Sequence, residues 1–420
     1  MTEAAPLDDA AFAASMAQLG PFEPAPRLAV AVSGGADSLA LAVLAGRWAA
    51  ARGGSVLALT VDHGLRPGSA GEAAATLERL RGLGLAAELL RWEGEKPSTG
   101  LQDAARHARY ALFAAACRRH GLLHLLLAHH ADDQAETVLL RHAAGSGAGG
   151  LAAMPAVREM AGLRLLRPLL GVAKARLAAT CRAAGLDWVE DPSNRNPAFA
   201  RARLRAGLGN GDGAALAAAA RRAGAARAEA EWALATLAAA ALTVHPEGWG
   251  EVALPAWRAL PESARRQWLG GLVAGFGGAA YPPRGEGLAR LSARLAAAER
   301  GRATLGGCVL GWAAGRLRLH REARHLPAPC RIEPGAALHW DGRFRLRLRA
   351  DSPPMIVEPY RGGAAAGGAP LPAAVRAALP AVRPEGGGAA ALPDFLGGGG
   401  ACTALFAPRH PVAPGPFGIV

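Results

Sequence analysis

Ser33-Gly34-Gly35-Ala36-Asp37-Ser38 is the segment of this sequence best suited to handle a phosphate. Adjacent glycines let backbone N–H groups approach phosphate oxygens closely, and a helix beginning there adds the partial positive charge of its N-terminus. Ser33 and Ser38 can donate hydroxyl hydrogen bonds, and Asp37 is suited to hold Mg²⁺ against the phosphates. No Gly-Lys-Ser/Thr follows, so this is not a Walker loop. A second cluster, Asp62-His63, closes an apolar run, with an Asp-capped turn as the plain alternative. The third is His129-His130-Ala131-Asp132-Asp133-Gln134-Ala135-Glu136, in which Asp133 and Glu136 fall on one side of a helix. Such a carboxylate pair can bind an ammonium and take its proton. Adjacent histidines at a strand end cannot readily share one zinc ion, and no third spaced ligand presents itself. Acids at a helix start are also favoured by the helix dipole alone. Arg106 and Arg109 could neutralise phosphate charge, with surface ion pairing as their alternative.

These clusters need a scaffold, and the hydrophobic pattern supplies one. Apolar runs at Leu28 to Val32, Val56 to Val61, Ala86 to Trp92 and Leu123 to Ala128 read as strands. Helical patterns at Leu39 to Trp48, Ser69 to Leu83, Gln102 to His120 and Asp132 to His142 alternate with them. That order predicts an α/β fold, a Rossmann-like parallel sheet with helices on both faces. All three polar clusters then follow strand ends, at the sheet edge where such folds bind ligands. Beyond Leu208 a glycine-rich link leads to a long Ala-rich helix, Ala214 to Leu242, and helices near 255–272 and 285–300. Arg316 to His320 and Arg343 to Arg349 alternate basic and apolar residues as half-buried strands do. After Gly362 the Gly, Ala and Pro content predicts a loosely ordered tail or a weak small domain. The expected division is a catalytic domain over 1–208, a helical domain over 209–325 and a small basic carboxyl region over 326–420.

At 420 residues the chain is long enough for two or three domains with cores of their own. Much of its 51% hydrophobic content is alanine, which favours helices but contributes little apolar area, so no membrane span is expected. The start, with Glu3, Asp8 and Asp9, lacks the basic and apolar regions of a secretory signal. Cys117, Cys181, Cys308, Cys330 and Cys402 are scattered and never form a Cys-x-x-Cys pair, which fits reduced thiols in a cytoplasmic protein. The net charge of +13 calls for a polyanionic partner. Lys96 and Lys174 are the only lysines, a preference for arginine that a GC-rich genome would produce anyway.

The Ser33 to Ser38 loop is similar to the PP-loop of the N-type ATP pyrophosphatases, which split ATP between the α and β phosphates. Six ordered blocks extend the likeness: Val32 to Ser38, Val61-Asp62-His63-Gly64-Leu65-Arg66, Gln102 to Tyr110, His129 to Thr137, Arg167-Pro168-Leu169-Leu170, and Glu190-Asp191-Pro192-Ser193-Asn194. Together they resemble the tRNA(Ile)-lysidine synthase family. The resemblance implies an enzyme that uses ATP and Mg²⁺ to attach free L-lysine to C2 of the wobble cytidine of an isoleucine tRNA with a CAU anticodon. It implies Asp37, Arg109, Asp133 and Glu136 as catalytic candidates, with Asp37 on the metal. Ser33, Gly34, Gly35, Ala36, Asp37, Ser38, Asp62 and His63 would hold ATP. Arg106, His129, His130, Asp132, Arg201 and Arg205 would contact the other substrates. One departure follows the last block: Arg201-Ala202-Arg203-Leu204-Arg205 stands where the family usually reads Arg-Asn-x-(Ile/Leu)-Arg, so no side-chain role is expected at Ala202. The helices and basic carboxyl region would grip the tRNA. No protein partner is evident.

Neighbouring readings fit less well. A sulfur-delivering PP-loop enzyme usually carries a Cys-x-x-Cys or a paired catalytic cysteine, and Cys117 and Cys181 are far apart. An amide-forming PP-loop ligase would lack the long basic extension. A nucleic-acid-binding module without catalysis would not need the intact Ser33 to Ser38 loop together with Asp132, Asp133 and Glu136.

Overall fold

The computed structural model describes residues 4–65, 68–97, 99–143, 152–160, 162–188, 212–283, 285–362, 371–395, 397 and 399–413. Arg66, the Glu190 to Asn194 block, Arg201, Ala202 and Arg205 lie outside the described residues. The chain divides into two compact units, Met1–Glu229 and Ala230–Val420.

The first unit is built on a six-stranded sheet. Its strands are β1 (Arg27–Ala31), β2 (Ser55–Asp62), β3 (Ala86–Arg91), β4 (His124–Leu126), β5 (Val157–Met160) and β6 (Leu163–Leu166), in the order β3-β2-β1-β4-β6-β5. All neighbours are parallel except the edge pair β5 and β6, which is an antiparallel hairpin that the sequence pattern did not announce. Helices α1 (Asp9–Ala17), α2 (Ala36–Ala50), α3 (Ser69–Gly82), α4 (Leu101–His120) and α5 (Ala131–Ala143) intervene, and a further helix spans Lys174–Ala183. Every strand and helix read from the hydrophobic pattern in the first 143 residues is present.

Burial explains why the sheet is covered on both faces. Successive strand residues point to opposite sides, and here both sides are apolar. Leu28, Val30, Ala58, Leu126 and Leu166 join one core with α2 and the Lys174–Ala183 helix. Ala29, Leu59, Leu125, Leu127 and Leu165 join a second core with Phe113, Ala116 and Cys117 of α4. A strand buried on both faces shows as a continuous apolar run, which is how these strands appear in the sequence.

In the second unit the stretch expected as one helix near 255–272 is two, Leu254–Arg258 and Glu262–Gly277, with Pro261 capping the second. The other expected helix is Glu286–Ala297, and the long helix Asp212–Ala241 begins in the first unit and ends in the second. Beside them stands a five-stranded antiparallel sheet. Its core takes Trp257, Trp268, Phe276 and Trp312. Strand Arg316–Arg321 alternates exposed and buried residues as the pattern predicts, whereas Cys308–Ala313 is buried almost throughout and carries no alternation. Two three-stranded sheets complete the unit and include Pro380–Pro384 and Cys402–Phe406 from the Gly- and Pro-rich stretch. Their shared core contains Trp340, Phe344, Leu346 and Val357. Asp341 is nearly enclosed and pairs with Arg321 at 3.0 Å and Arg343 at 2.8 Å, so two buried guanidinium groups have a carboxylate between them. Among the described residues no helix is long and apolar enough to cross a membrane.

Candidate active site

Strand order reverses between β1 and β4, where the chain leaves one strand toward each side of the sheet. Ligands of doubly wound sheets bind at this crevice. The loop after β1 and the segment after β4 flank it, and a cavity of about 640 Å³ opens there. Its wall includes Ser33 and Gly35 from the first loop, Asp37 and Ser38 from the first turn of α2, Asp62 and His63 from the end of β2, Arg109 and Tyr110 from α4, and His129 after β4. Residues from four separate blocks of sequence thus face one space.

The glycine loop is held by its own serines. Ser38 Oγ accepts from the Ser33 amide at 3.1 Å and donates to the Gly35 carbonyl at 3.0 Å. Gly35 is the N-cap of α2 and has no side chain to satisfy the first amides, which leaves them for an anion. Gly34 has φ +86°, a left-handed conformation open to glycine.

Asp37, in the first turn of α2, has one buried carboxylate oxygen, Oδ1, with no hydrogen-bond partner. Its other oxygen, Oδ2, lies 3.5 Å from His130 Nε2 and 4.0 Å from Lys174 Nζ. Lys174, the first residue of its helix, stands out in the sequence only for its rarity; the chain turn after Leu170 carries it to the site. His130 is buried, and Asp133 Oδ2 lies 3.5 Å from its Nε2. Burial works against the charged imidazole. The hydrogen bond to Asp37 and the charges of Asp133, Asp37 and Asp132 outweigh it and hold the His130 pKa above its usual value.

The acidic helix start does two kinds of work. Asp133 Oδ2 accepts from the His130 amide at 3.0 Å, half of a capping box at the start of α5. Asp132 is exposed and accepts from the Lys174 amide at 3.4 Å. Glu136 is buried, at 2% exposure, on the same helix. The two carboxylates expected to act together therefore differ in access, Asp133 being partly open and Glu136 enclosed. Asp62 Oδ1 ties its turn together by accepting from the Gly64 amide and the Ser69 hydroxyl, and these bonds lower its pKa. Burial and the charge of Arg109 lower the pKa of His63. Arg109 is itself lowered by burial, lies over the Tyr110 ring at 5.9 Å and has no ion-pair partner among the described residues. Arg106 is exposed beside the same ring.

A mostly parallel α/β sheet with a glycine loop at its switch point and, on the cavity wall, an Arg109 that is unpaired among the described residues defines a nucleotide-binding domain of the PP-loop class, and residues 9–211 match the family model described as PP-loop domain. Three relatives carry the same name, tRNA(Ile)-lysidine synthase. That of Bradyrhizobium sp. is 54% identical over 183 residues, 43% of this chain and 51% of the relative. That of Methylobacterium nodulans is 44% identical over 336 residues, 77% of this chain and 98% of the relative. That of Rhizobium meliloti is 37% identical over 339 residues, 77% of this chain and 73% of the relative. The chain belongs to the tRNA(Ile)-lysidine synthase family. Against the Bradyrhizobium protein it spans about half of the relative's length.

Proposed function

We propose that this chain is an ATP-dependent tRNA-modifying ligase that converts the wobble cytidine of an isoleucine tRNA with a CAU anticodon to lysidine, releasing AMP and pyrophosphate. In the first step cytosine O2 attacks the α-phosphate of ATP and pyrophosphate leaves. In the second the ε-amine of free L-lysine attacks C2, and AMP departs with the oxygen that was O2. The amine must lose protons, which a carboxylate accepts.

The observation that carries this reading is the convergence of the Ser33 to Ser38 loop, Arg109 and His129 on one cavity in a chain of this family. Open amides of the loop and the Arg109 cation suit the charge that grows on the departing pyrophosphate. The unpartnered Asp37 Oδ1 fits a Mg²⁺ ion whose remaining ligands would be phosphate oxygens and water. When bound, the ion would neutralise phosphate charge. Asp133 and Glu136 are assigned to the lysine ammonium, with His130 and Asp132 beside them. Residues beyond 208, with Arg201 and Arg205 just before them, are assigned to the tRNA. A chain acting on tRNA with ATP would work in the cytoplasm.

Incubation of unmodified isoleucine tRNA with the protein, ATP, Mg²⁺ and lysine, followed by mass analysis of the nucleosides, tests the reading. Lysidine is the expected product, and Asp37→Ala should abolish pyrophosphate release while the protein stays folded. Unchanged cytidine with the wild-type protein would overturn it.

A further inference from the structure

The Arg167-Pro168-Leu169-Leu170 block follows β6, whose parallel register sets Leu166 opposite Leu126 of β4. Arg167 therefore lies level with the turn that carries His129. Its side chain is 5% exposed. Nη1 donates to the Pro155 carbonyl at 2.8 Å, and Nε donates to His129 Nδ1 at 3.3 Å.

A guanidinium N–H can only donate. The His129 nitrogen facing it must then be the unprotonated one, and the ring proton of a neutral imidazole resides on Nε2. His129 lines the cavity beside Ser33 and Asp37, and among the described residues its ring makes no other hydrogen bond.

We infer that Arg167 is a positioning residue that locks His129 as its Nε2–H tautomer, so that the cavity receives a fixed donor for a phosphate oxygen of the nucleotide. The same lock denies His129 a role as the base that deprotonates the lysine amine, because its single basic nitrogen is occupied by Arg167. Burial and the charges of Arg167, Arg106 and Arg109 support the neutral ring against the opposing charge of Asp133. The ligand class rests on the ATP reading above; the tautomer does not.

The test is long-range ¹H–¹⁵N correlation of the full chain labelled at histidine, with His129 assigned from the loss of its signals in His129→Gln. At neutral pH without ligand, His129 should show a protonated Nε2 and a bare Nδ1. Arg167→Met should mix the tautomers and raise the titration of this ring by about one pH unit or more. Should Arg167→Met fail to fold, the wild-type spectrum still decides, since a protonated Nδ1 overturns the lock. In turnover, His129→Gln retains an N–H donor near the Nε2 position and should keep pyrophosphate release within about tenfold of wild type. His129→Ala should lose about 100-fold, the effect of deleting one preorganised donor. Equal losses in the two variants would overturn the donor role. Binding of a non-hydrolysable ATP analogue with Mg²⁺ should shift the Nε2 signal. A bound analogue that leaves it unmoved would overturn the phosphate assignment alone, whereas an analogue that does not bind at all would overturn the ATP reading.

Discussion

A side chain on Gly34 would meet Thr76, since an ideal Cβ at residue 34 falls 2.6 Å from Thr76 Oγ1. Helix α3 is thus packed against the glycine loop as a wall, and Thr76 is itself fixed by its bond to the Glu72 carbonyl at 2.8 Å. Gly34→Ala adds this collision to a left-handed backbone cost of about 1 to 2 kcal/mol. ATP affinity should fall in Gly34→Ala and recover in part in Gly34→Ala with Thr76→Ala, because the second change removes the collision but not the backbone cost. Calorimetric titration with ATP checks this. Equal affinity of the single and double variants would mean that the wall does not shape the loop.

Asp133 and Glu136 should separate the two half reactions from each other. With tRNA and α-labelled ATP, Asp133→Asn and Glu136→Gln should still place label on the tRNA, and added lysine should discharge it slowly. Higher lysine should partly restore the rate where binding is the main defect. Asp133→Asn also weakens the bond to the His130 amide, which costs about 1 kcal/mol of stability in the melting curve. Label that never accumulates in a folded variant would place these carboxylates in the adenylation step.

Protonation of His129 should appear in the acid limb of stability. Burial first, then the charge of Arg167, lowers its pKa from 6.5 to about 4. An unfolded chain takes up this proton below 6.5, while the folded chain takes it up only near 4. Folding therefore loses stability as pH falls across that window, by on the order of 3 kcal/mol, and loses no more from this group below it. Urea unfolding at a series of pH values should show a shallower slope between these limits for His129→Gln than for wild type. Parallel curves would contradict the assignment.

Arg345 and Arg347 project from the exposed side of strand Phe344–Leu348, and neither has an ion-pair partner among the described residues. Both should bind tRNA phosphates. Replacing them with Gln should weaken tRNA binding and reduce the salt dependence, by about 0.7 to 0.9 in logarithmic slope for each phosphate no longer neutralised. ATP binding should be unaffected. An unchanged salt slope would remove this face from the RNA interface.

Hydrophobic period alone lays out β1 to β4 and the helices between them, though not the antiparallel β5–β6 edge of the same sheet. Strands buried on both faces appear as apolar runs, helices as periodic ones, and the polar clusters at their junctions had to fall at one edge of a parallel sheet. Residue types in Ser33 to Ser38 and His129 to Glu136 also suggested the chemistry proposed for them. What they could not carry was partnership. Lys174 reaches Asp37 across 137 positions only because the chain folds back after β6, and Arg167 reaches His129 only through the register of two strands distant in sequence. Asp133 and Glu136 share a helix face by spacing, yet one is open and the other enclosed, because burial depends on what packs against the helix. In the second unit, strand Cys308–Ala313 is silent in the sequence, since a short strand enclosed by neighbours has no period to read. Local patterns record which way each residue faces along its own element; only the tertiary fold decides which charges meet, which nitrogen of an imidazole is left to donate, and how far each is removed from water.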